Sequence, residues 1–228
     1  MLSSAELSKN QVDRLGNRLR KGDITEADLR LLDSYRRSFT DVYEDVVRRI
    51  RDQLGLEPTG RPAKSTTSIS DKLRRESIRL SQIQDIAGCR VIVPDILTQD
   101  EVVARLNGLF DKLTVVDRRE HPSHGYRAVH VIVDRRGKLI EVQVRTSLQH
   151  AWAQLSEKLS DEVDSAIKYG GGDEELVSLL AMMSDASMDV EIAIKTKDVD
   201  RMIIELQRCA DLFERLQEII RRLRGTKR

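Results

Sequence analysis

The chain has 228 residues, 34% of them charged, and a formal net charge of +1 at pH 7. This balance carries no global electrostatic signature of nucleic-acid binding, and only local basic patches keep such a function open. The length suffices to bury a substantial core, and we expect one compact domain overall.

The two cysteines, Cys89 and Cys209, lie far apart in apolar or helical contexts. This placement favours buried free thiols in a reducing compartment over a disulfide. No segment has the apolar length that crosses a bilayer, and the N-terminus lacks the hydrophobic centre of a signal sequence. We therefore expect a soluble cytoplasmic protein without a membrane partner.

An N-terminal helical flank is predicted over residues 1–56, because apolar residues recur there at spacings of three and four. The recurring positions are Leu31, Leu32, Tyr35, Phe39, Val42, Tyr43, Val46, Val47 and Ile50. A stripe of this kind is typical of a packing face. We assign no chemistry to its two tyrosines.

The segment "GLEPTGRPAKSTTSIS" interrupts the helices with glycines and prolines, and a new helix is expected near Ser68, with Ser68 as N-cap and Asp71 as its capping-box partner. Basic residues cluster here, namely Arg61, Lys64, Lys72, Arg74, Arg75 and Arg79. Cations beside a helix N-terminus suit a polyphosphate, and a solvated helix face explains them equally well.

The middle third of the chain alternates strands and helices. It includes a central strand over Arg90 to Val93, a helix from about Gln99 to Leu113, a strand over Leu113 to Asp117, and a hairpin around Asp134 to Lys138. The order predicts an α+β fold, in which a mixed sheet is covered by helices.

Polar residues occupy one face of the second hairpin strand. With a period of two, Glu141, Gln143 and Arg145 share that face. Glu141 and Asp85 both lie beside predicted core strands, where an isolated buried charge is costly. The two carboxylates either pair with Arg90 and Arg145 or hold a magnesium ion, and periodicity does not decide between these readings.

Two C-terminal helices are predicted within residues 171–228, after the glycines at 170–172. Their spans are about Glu174 to Lys195 and Asp198 to Arg224. The last helix has a broad apolar side, which must pack on the domain or on another subunit.

Five blocks carry a resemblance when they are taken in order: "KSTTSISDKL", "DIAGCRVIV", "GYRAVH", "EVQVRT" and "QHAWAQL". Together they resemble the synthetase domain of the RelA/SpoT family of alarmone-producing pyrophosphokinases. The resemblance runs from Arg61 to Lys158, within a core over residues 57–170. It implies a nucleotidyltransferase-like core and, given the short chain, a small alarmone synthetase that is often a homo-oligomer through its C-terminal helices.

The resemblance implies transfer of the β,γ-diphosphate of ATP to the 3′-hydroxyl of GDP or GTP, with Mg²⁺ as cofactor. Asp85 would be the main metal ligand, and Glu141 would hold the metal or act as general base. Tyr126 would stack on the acceptor base, with His130 close to the acceptor. The residues implied in nucleotide binding are Arg61, Lys64, Ser68, Lys72, Arg90, Gln143 and Arg145.

The loop "DRREHPSHGYR" departs from the family, whose guanine-nucleotide enzymes have a longer loop with a lysine after a proline. This difference leaves the acceptor open. The toxic branch of the family acts on the 3′ end of tRNA, and some members use adenosine nucleotides. The sequence leaves open whether such a toxin has an antitoxin partner. A catalytically silent binding protein of the same fold is the third alternative.

Overall fold

The computed structural model describes residues 7–226, without the side chains of Arg61 and residues 224–226. The helices are α1 Lys9–Lys21, α2 Glu26–Arg37, α3 Thr40–Leu54, α4 Thr66–Arg75, α5 Ile96–Leu109, α6 Ser147–Glu162, α7 Glu174–Thr196 and α8 Val199–Thr226. The strands are β1 Thr59–Arg61, β2 Ala87–Val93, β3 Leu113–Asp117, β4 Val129–Arg135 and β5 Lys138–Thr146. Short 3₁₀ turns lie at Leu80–Gln82 and Ile167–Tyr169.

The five strands form one sheet in the order β1-β2-β5-β4-β3. Strand β1 runs antiparallel to β2, with Arg61 opposite Gly88. Beyond β1, the chain stays beside β2, because the amide of Lys64 donates to the carbonyl of Ile86 at 2.6 Å. The predicted α+β class, a mixed sheet flanked by helices, is confirmed.

Several boundaries differ from the prediction, three of them at the starts of elements. Strand β2 begins at Ala87 rather than at Arg90. Helix α5 begins at Ile96, since the carboxylate of Asp95 accepts from the amide of Thr98 at 2.8 Å and so caps the helix before Gln99. The prediction of Ser68 as N-cap of α4 was wrong: Ser65 is the cap, and its hydroxyl accepts from the amide of Ser68.

The chain divides into two compact units. Of the described residues, the first comprises 7–91, 106–115 and 131–143, and the second comprises 92–105, 116–130 and 144–226. Within the described part of the first unit, α1 packs closely on the 3₁₀ turn, because Gly16 lies against Leu80. A Cβ on Gly16 would come within 2.6 Å of the Leu80 Cβ, so this approach requires glycine.

The second unit has a core of its own between α6, α7 and α8. Its buried members are Trp152, Ala153, Leu159, Ile167, Leu176, Leu179, Leu180, Ala186, Leu212, Leu216 and Ile219. The predicted C-terminal helices therefore exist as α7 and α8, and they bury an apolar stripe. Within residues 7–226, no helix combines the length and the apolarity that crossing a membrane needs.

Candidate active site

In the first unit, Asp85 lies between two lysines. Lys64 Nζ donates to Asp85 Oδ2 at 2.5 Å, and Lys72 Nζ donates to Asp85 Oδ1 at 2.9 Å. Lys64 follows β1, Lys72 is on α4, and Asp85 precedes β2, so three separate segments place these charges together. All three side chains are largely buried.

The carboxyl of Asp85 is ionised in this setting. Burial by itself raises the pKa of Asp85, but the charges of Lys64 and Lys72 and their hydrogen bonds outweigh burial, and the net pKa lies below its ordinary value. The sequence left pairing with Arg90 open. The structure instead gives Asp85 two lysine partners from elsewhere in the chain.

Glu141 lies on β5, which neighbours β2 in the sheet. Gln143 Nε2 donates to Glu141 Oε2 at 2.6 Å, which orients the carboxylate. Gly88 on β2 lies directly against this strand, where a Cβ would come within 2.7 Å of the Glu141 carbonyl oxygen. A glycine three residues after Asp85 thus lets β2 and β5 approach at the point where Glu141 stands.

The chemistry of these side chains fits a magnesium ion. Carboxylate oxygens are the protein ligands that Mg²⁺ prefers, and one or two are enough when substrate phosphates and waters complete the shell. Within residues 7–226, no group of three or more His, Cys, Asp or Glu residues could bind a metal without such help. Asp85 and Glu141 are the residues that could hold such an ion together with the phosphates of a substrate.

In the second unit, Tyr126, His130 and Arg145 form another cluster. The Tyr126 hydroxyl and His130 Nε2 are 2.9 Å apart, and Arg145 Nη2 donates to the same hydroxyl at 2.8 Å. The Arg145 guanidinium also lies over the tyrosine ring, 4.8 Å from its centroid. Arg145 is 3% exposed and His130 9%, so the cluster is fixed by packing as well as by bonds.

A tight turn presents Tyr126. Ser123 and Tyr126 form an isolated antiparallel bridge, and His124 and Gly125 between them have φ values of 53° and 84°. Glycine suits this left-handed conformation. It is also required by space, because a Cβ on Gly125 would come within 2.6 Å of the Trp152 ring. Trp152 is itself held by a 2.8 Å hydrogen bond from its indole to the Leu180 carbonyl.

Arg119 fixes the start of the loop that precedes Tyr126. Its guanidinium donates to Asp117 on β3 and to Asp100 on α5, each at 2.6 Å at the closest. Burial by itself lowers the pKa of Arg119, but the two carboxylates raise it above its ordinary value. The charge of Arg119 is therefore used inside the protein.

Arg127 fixes the end of the same loop to helix α7. It donates to the Ser184 hydroxyl at 3.1 Å, to Asp185 at 2.6 Å and to the Arg119 carbonyl. The Ser184 hydroxyl in turn donates to the Gly125 carbonyl at 2.5 Å. Sequence reasoning missed these residues, because the partners on α7 are 57 to 59 residues away along the chain and no local pattern marks them.

The second unit also contains a cluster of buried polar side chains, formed by Gln99, Gln149 and Glu191. Gln149 Nε2 donates to Gln99 and to Glu191, each at 3.3 Å. Burial raises the pKa of Glu191, which hydrogen bonds from Thr146 and Gln149 oppose only in part. No local sequence pattern marks this carboxyl, since it lies on an otherwise ordinary helix.

The predicted site residues thus fall into two groups. Lys64, Lys72 and Asp85 meet in the first unit, where Gln143 holds Glu141; Tyr126, His130 and Arg145 meet in the second. Ser68 lies in the first turn of α4, and Arg90 lies on β2. The side chain of Arg61 falls outside the described atoms.

Among the basic side chains of this cluster that the structure describes, Lys64 and Lys72 are the two that converge on Asp85. Arg74 pairs with Asp71 of its own helix, and Arg75 pairs with Glu76. Arg74 and Arg75 therefore agree with the interpretation of this segment as a solvated helix face. Lys64 and Lys72, in contrast, form a buried pair of cations.

Solved structures with the same fold define the class of the protein. Small alarmone synthetase 1 from Bacillus subtilis matches with a TM-score of 0.54 and 25% identity, over 77% of this chain and 98% of that one. A GTP pyrophosphokinase family protein from Streptococcus pneumoniae matches with a TM-score of 0.55 and 25% identity, over 80% and 98%. The fold is that of the small alarmone synthetases.

The sequences to which this chain is similar identify its family. The family model described as "Region found in RelA / SpoT proteins" matches residues 60–162. An uncharacterized protein of Mycobacterium tuberculosis is 33% identical over 199 residues, which cover 80% of this chain and 73% of that protein. GTP pyrophosphokinase YjbM of Bacillus subtilis is 36% identical over 140 residues, 53% of this chain and 61% of that protein. The chain belongs to the RelA/SpoT family, as the order of its motifs predicted.

Proposed function

We propose that this protein is a magnesium-dependent pyrophosphokinase that transfers the β,γ-diphosphate of ATP to the 3′-hydroxyl of GDP or GTP. The observation that carries the proposal is the ionised carboxylate of Asp85 between Lys64 and Lys72, in a chain of this family. A relative that shares 36% of its residues over 140 positions is named a GTP pyrophosphokinase, which supports the guanine acceptor.

The reaction forms one bond and breaks one. The 3′-oxygen of the acceptor bonds to the β-phosphorus of ATP, and the bond from that phosphorus to the bridging oxygen of the α-phosphate breaks. AMP leaves with that oxygen, and the proton of the hydroxyl passes to a base. Such a transfer requires positioning and charge neutralisation rather than a covalent intermediate on the protein.

Lys64 and Lys72 would contact the phosphates of ATP. In the structure described here their ammonium groups bond to Asp85, which keeps three largely buried charges compensated. When ATP is present, we expect both lysines to turn toward phosphate oxygens and the Asp85 carboxylate to become a metal ligand. Asp85 and Glu141 would hold Mg²⁺ there, and the ion would supply positive charge that stabilises the phosphates.

Glu141 would act beside Asp85, either on the metal or as the base that accepts the proton of the hydroxyl. The hydrogen bond from Gln143 to Glu141 Oε2 fixes one carboxylate oxygen, so that the other has a defined direction. Either role requires an ionised carboxylate.

The cluster in the second unit would bind the acceptor. Tyr126 offers a ring for stacking on a base, and the bonds from Arg145 and His130 to its hydroxyl fix the orientation of that ring. The side chain of His130 would lie near the ribose or the phosphates of the acceptor.

An acceptor panel tests the proposal. Purified protein is incubated with γ-labelled ATP and Mg²⁺ and with GDP, GTP, AMP or deacylated tRNA in separate reactions. Label on the acceptor is measured by chromatography in every reaction, and AMP release is measured in all but the AMP reaction. We expect AMP to form with GDP or GTP, and Asp85→Asn to abolish it. Formation with tRNA alone would move the protein to the translation-inhibiting branch, and no formation with any acceptor would contradict an enzymatic function.

A further inference from the structure

Helix α1 contacts the segment that follows α4 at three points. The Asp13 carboxylate accepts from the Ser81 amide at 3.1 Å, and Gly16 lies against Leu80. Arg20 makes the third contact. Positions 13, 16 and 20 are three and four residues apart, so they share one face of the helix. One face of α1 therefore holds this segment in place.

Arg20 bonds to two backbone carbonyls at the end of α4. Its Nε donates to the Leu73 carbonyl at 2.7 Å, and its Nη2 donates to the Ile78 carbonyl. The Glu76 amide caps α4 by donating to the Lys72 carbonyl, so the Leu73 carbonyl is the first that the helix leaves without a partner. A guanidinium suits this position, because it carries several donors and the C-terminal end of a helix favours positive charge.

The contacts of Arg20 lie beside the candidate ATP site. Lys72 directly precedes Leu73, and its Nζ donates to Asp85 Oδ1 at 2.9 Å. The 3₁₀ turn Leu80–Gln82, which α1 also contacts, leads the chain to Asp85. Helix α1 therefore holds the chain both where the lysine leaves α4 and where the chain returns toward the carboxylate.

We propose that Arg20 is a positioning residue for ATP, because it holds the end of α4 and so sets the direction from which the Lys72 ammonium reaches the phosphates. The role of Lys72 as a phosphate ligand rests on the proposed function. The effect of Arg20 passes through the backbone of α4, since its guanidinium bonds to carbonyls there. The family model matches residues 60–162, so this support comes from a helix outside the matched region.

Binding of α,β-methylene-ATP tests the inference without relying on turnover, because this analogue lacks the bridging oxygen at which the proposed transfer breaks ATP. Isothermal titration with Mg²⁺ present measures its affinity. We expect Arg20→Met to weaken binding by about tenfold, since both hydrogen bonds from a charged donor are lost. Arg20→Lys keeps the charge and one reachable carbonyl, so it should restore part of the affinity. Arg14→Met is the matched control, because Arg14 is an exposed arginine of the same helix.

A double-mutant cycle with Lys72→Met separates positioning from a general loss of stability. If Arg20 acts through Lys72, Arg20→Met should weaken binding by about tenfold when Lys72 is present and by about twofold or less in the Lys72→Met background. Urea unfolding of each preparation identifies variants that do not fold, and Arg20→Lys takes the place of Arg20→Met in the cycle if that variant is one of them.

Three results would overturn the inference: no binding of the analogue by wild type, no weakening by Arg20→Met, or equal weakening in both backgrounds. Diphosphate transfer to GDP is measured in the same preparations. Transfer by wild type together with equal weakening in both backgrounds would reject the role of Arg20 and keep the proposed function. Weakening that depends on Lys72, without transfer to any acceptor, would do the reverse.

Discussion

At Asp85, one carboxylate accepts hydrogen bonds from two ammonium groups that the sequence places 21 and 13 residues away. The sequence indicated the carboxylate, because Asp85 stands at the entry to an apolar strand. It did not indicate the lysines as partners, since nothing local distinguishes Lys64 and Lys72 from the other basic residues of the segment. Long-range convergence of this kind is set by tertiary packing rather than by periodicity.

We expect Asp85→Asn and Glu141→Gln to lose at least about 100-fold in diphosphate transfer, because both changes remove a negative charge where a metal and phosphates must be held. Each amide keeps the size of the carboxylate, so unfolding should stay cooperative, and Glu141→Gln should keep a Tm within a few degrees of wild type. Asp85→Asn should lower the Tm further, because it leaves the largely buried ammonium groups of Lys64 and Lys72 without their carboxylate. Glu120→Gln, at an exposed glutamate, is the control. Full activity in either variant would remove that residue from the catalytic role.

A change at Tyr126 should alter the KM for the acceptor more than the KM for ATP. Tyr126→Ala removes the ring and is expected to raise KM for the acceptor by about tenfold or more, with little change in KM for ATP. Tyr126→Phe keeps the ring and loses only the hydroxyl that Arg145 and His130 contact, so its effect should be smaller. Steady-state kinetics with each substrate varied in turn measures both constants. Equal losses for the two substrates would argue against stacking.

The raised pKa of Glu191 predicts a stability that depends on pH. Its protonated form is favoured in the folded state, so its contribution is fully present below the unfolded value of about 4.3 and is lost as pH rises through the folded pKa. Glu191→Gln, which carries no charge, should therefore gain stability relative to wild type as pH increases.

Urea unfolding of wild type and Glu191→Gln between pH 4 and pH 8 measures this difference. Glu174→Gln, at an exposed glutamate of the same helix, is the control. A difference in unfolding free energy that stays constant over this range would show that Glu191 is ionised throughout.

Among the elements, helix α7 has an unexpected connection to the loop that presents Tyr126. The Ser184 hydroxyl accepts from Arg127 and donates to the Gly125 carbonyl. One hydroxyl therefore bonds the residues on both sides of Tyr126 to the helix. The sequence predicted α7 from its periodicity and assigned it only packing. Its polar contacts could not be predicted, because a single serine on a mostly apolar helix has no signature.

Ser184→Ala should loosen the turn and raise KM for the acceptor several-fold, with KM for ATP unchanged. Two hydrogen bonds are lost, and the free energy of unfolding should fall by about 1–3 kcal/mol. Ser184→Thr retains the hydroxyl and should recover most of the affinity. Ser187→Ala is the matched control, since Ser187 lies on the same helix and its hydroxyl donates to the Met183 carbonyl. An identical KM change in the control would contradict the role of Ser184.

Helix starts show how far local sequence signals can predict where an element begins. The segment "STTSIS" offers several hydroxyl residues as N-caps of α4, and the choice of Ser65 over Ser68 depends on how β1 leads into the helix. The α+β class and most strands followed from periodicity alone. Strand β2 extends back to Ala87 through Gly88, a residue that a propensity argument excludes and that the contact with β5 requires.

At the scale of the whole molecule, helix α8 stands out because it exposes large apolar side chains. Several of its large apolar side chains are exposed, among them Ile203 at 59% and Ile204 at 65%. Assembly into a homo-oligomer through the C-terminal helices stays a prediction that these residues support. Which residues bind ATP and which bind the acceptor is tested by the reaction itself.

Transfer from ATP labelled at either end tests the central claim most directly. The protein is incubated with Mg²⁺, GDP and ATP that carries its label on the γ-phosphate or, in a parallel reaction, on the α-phosphate. The account predicts that the γ label appears in a guanine nucleotide with two additional phosphates and that the α label appears in AMP. Release of the γ label only as inorganic phosphate, or recovery of the α label in ADP, would contradict it.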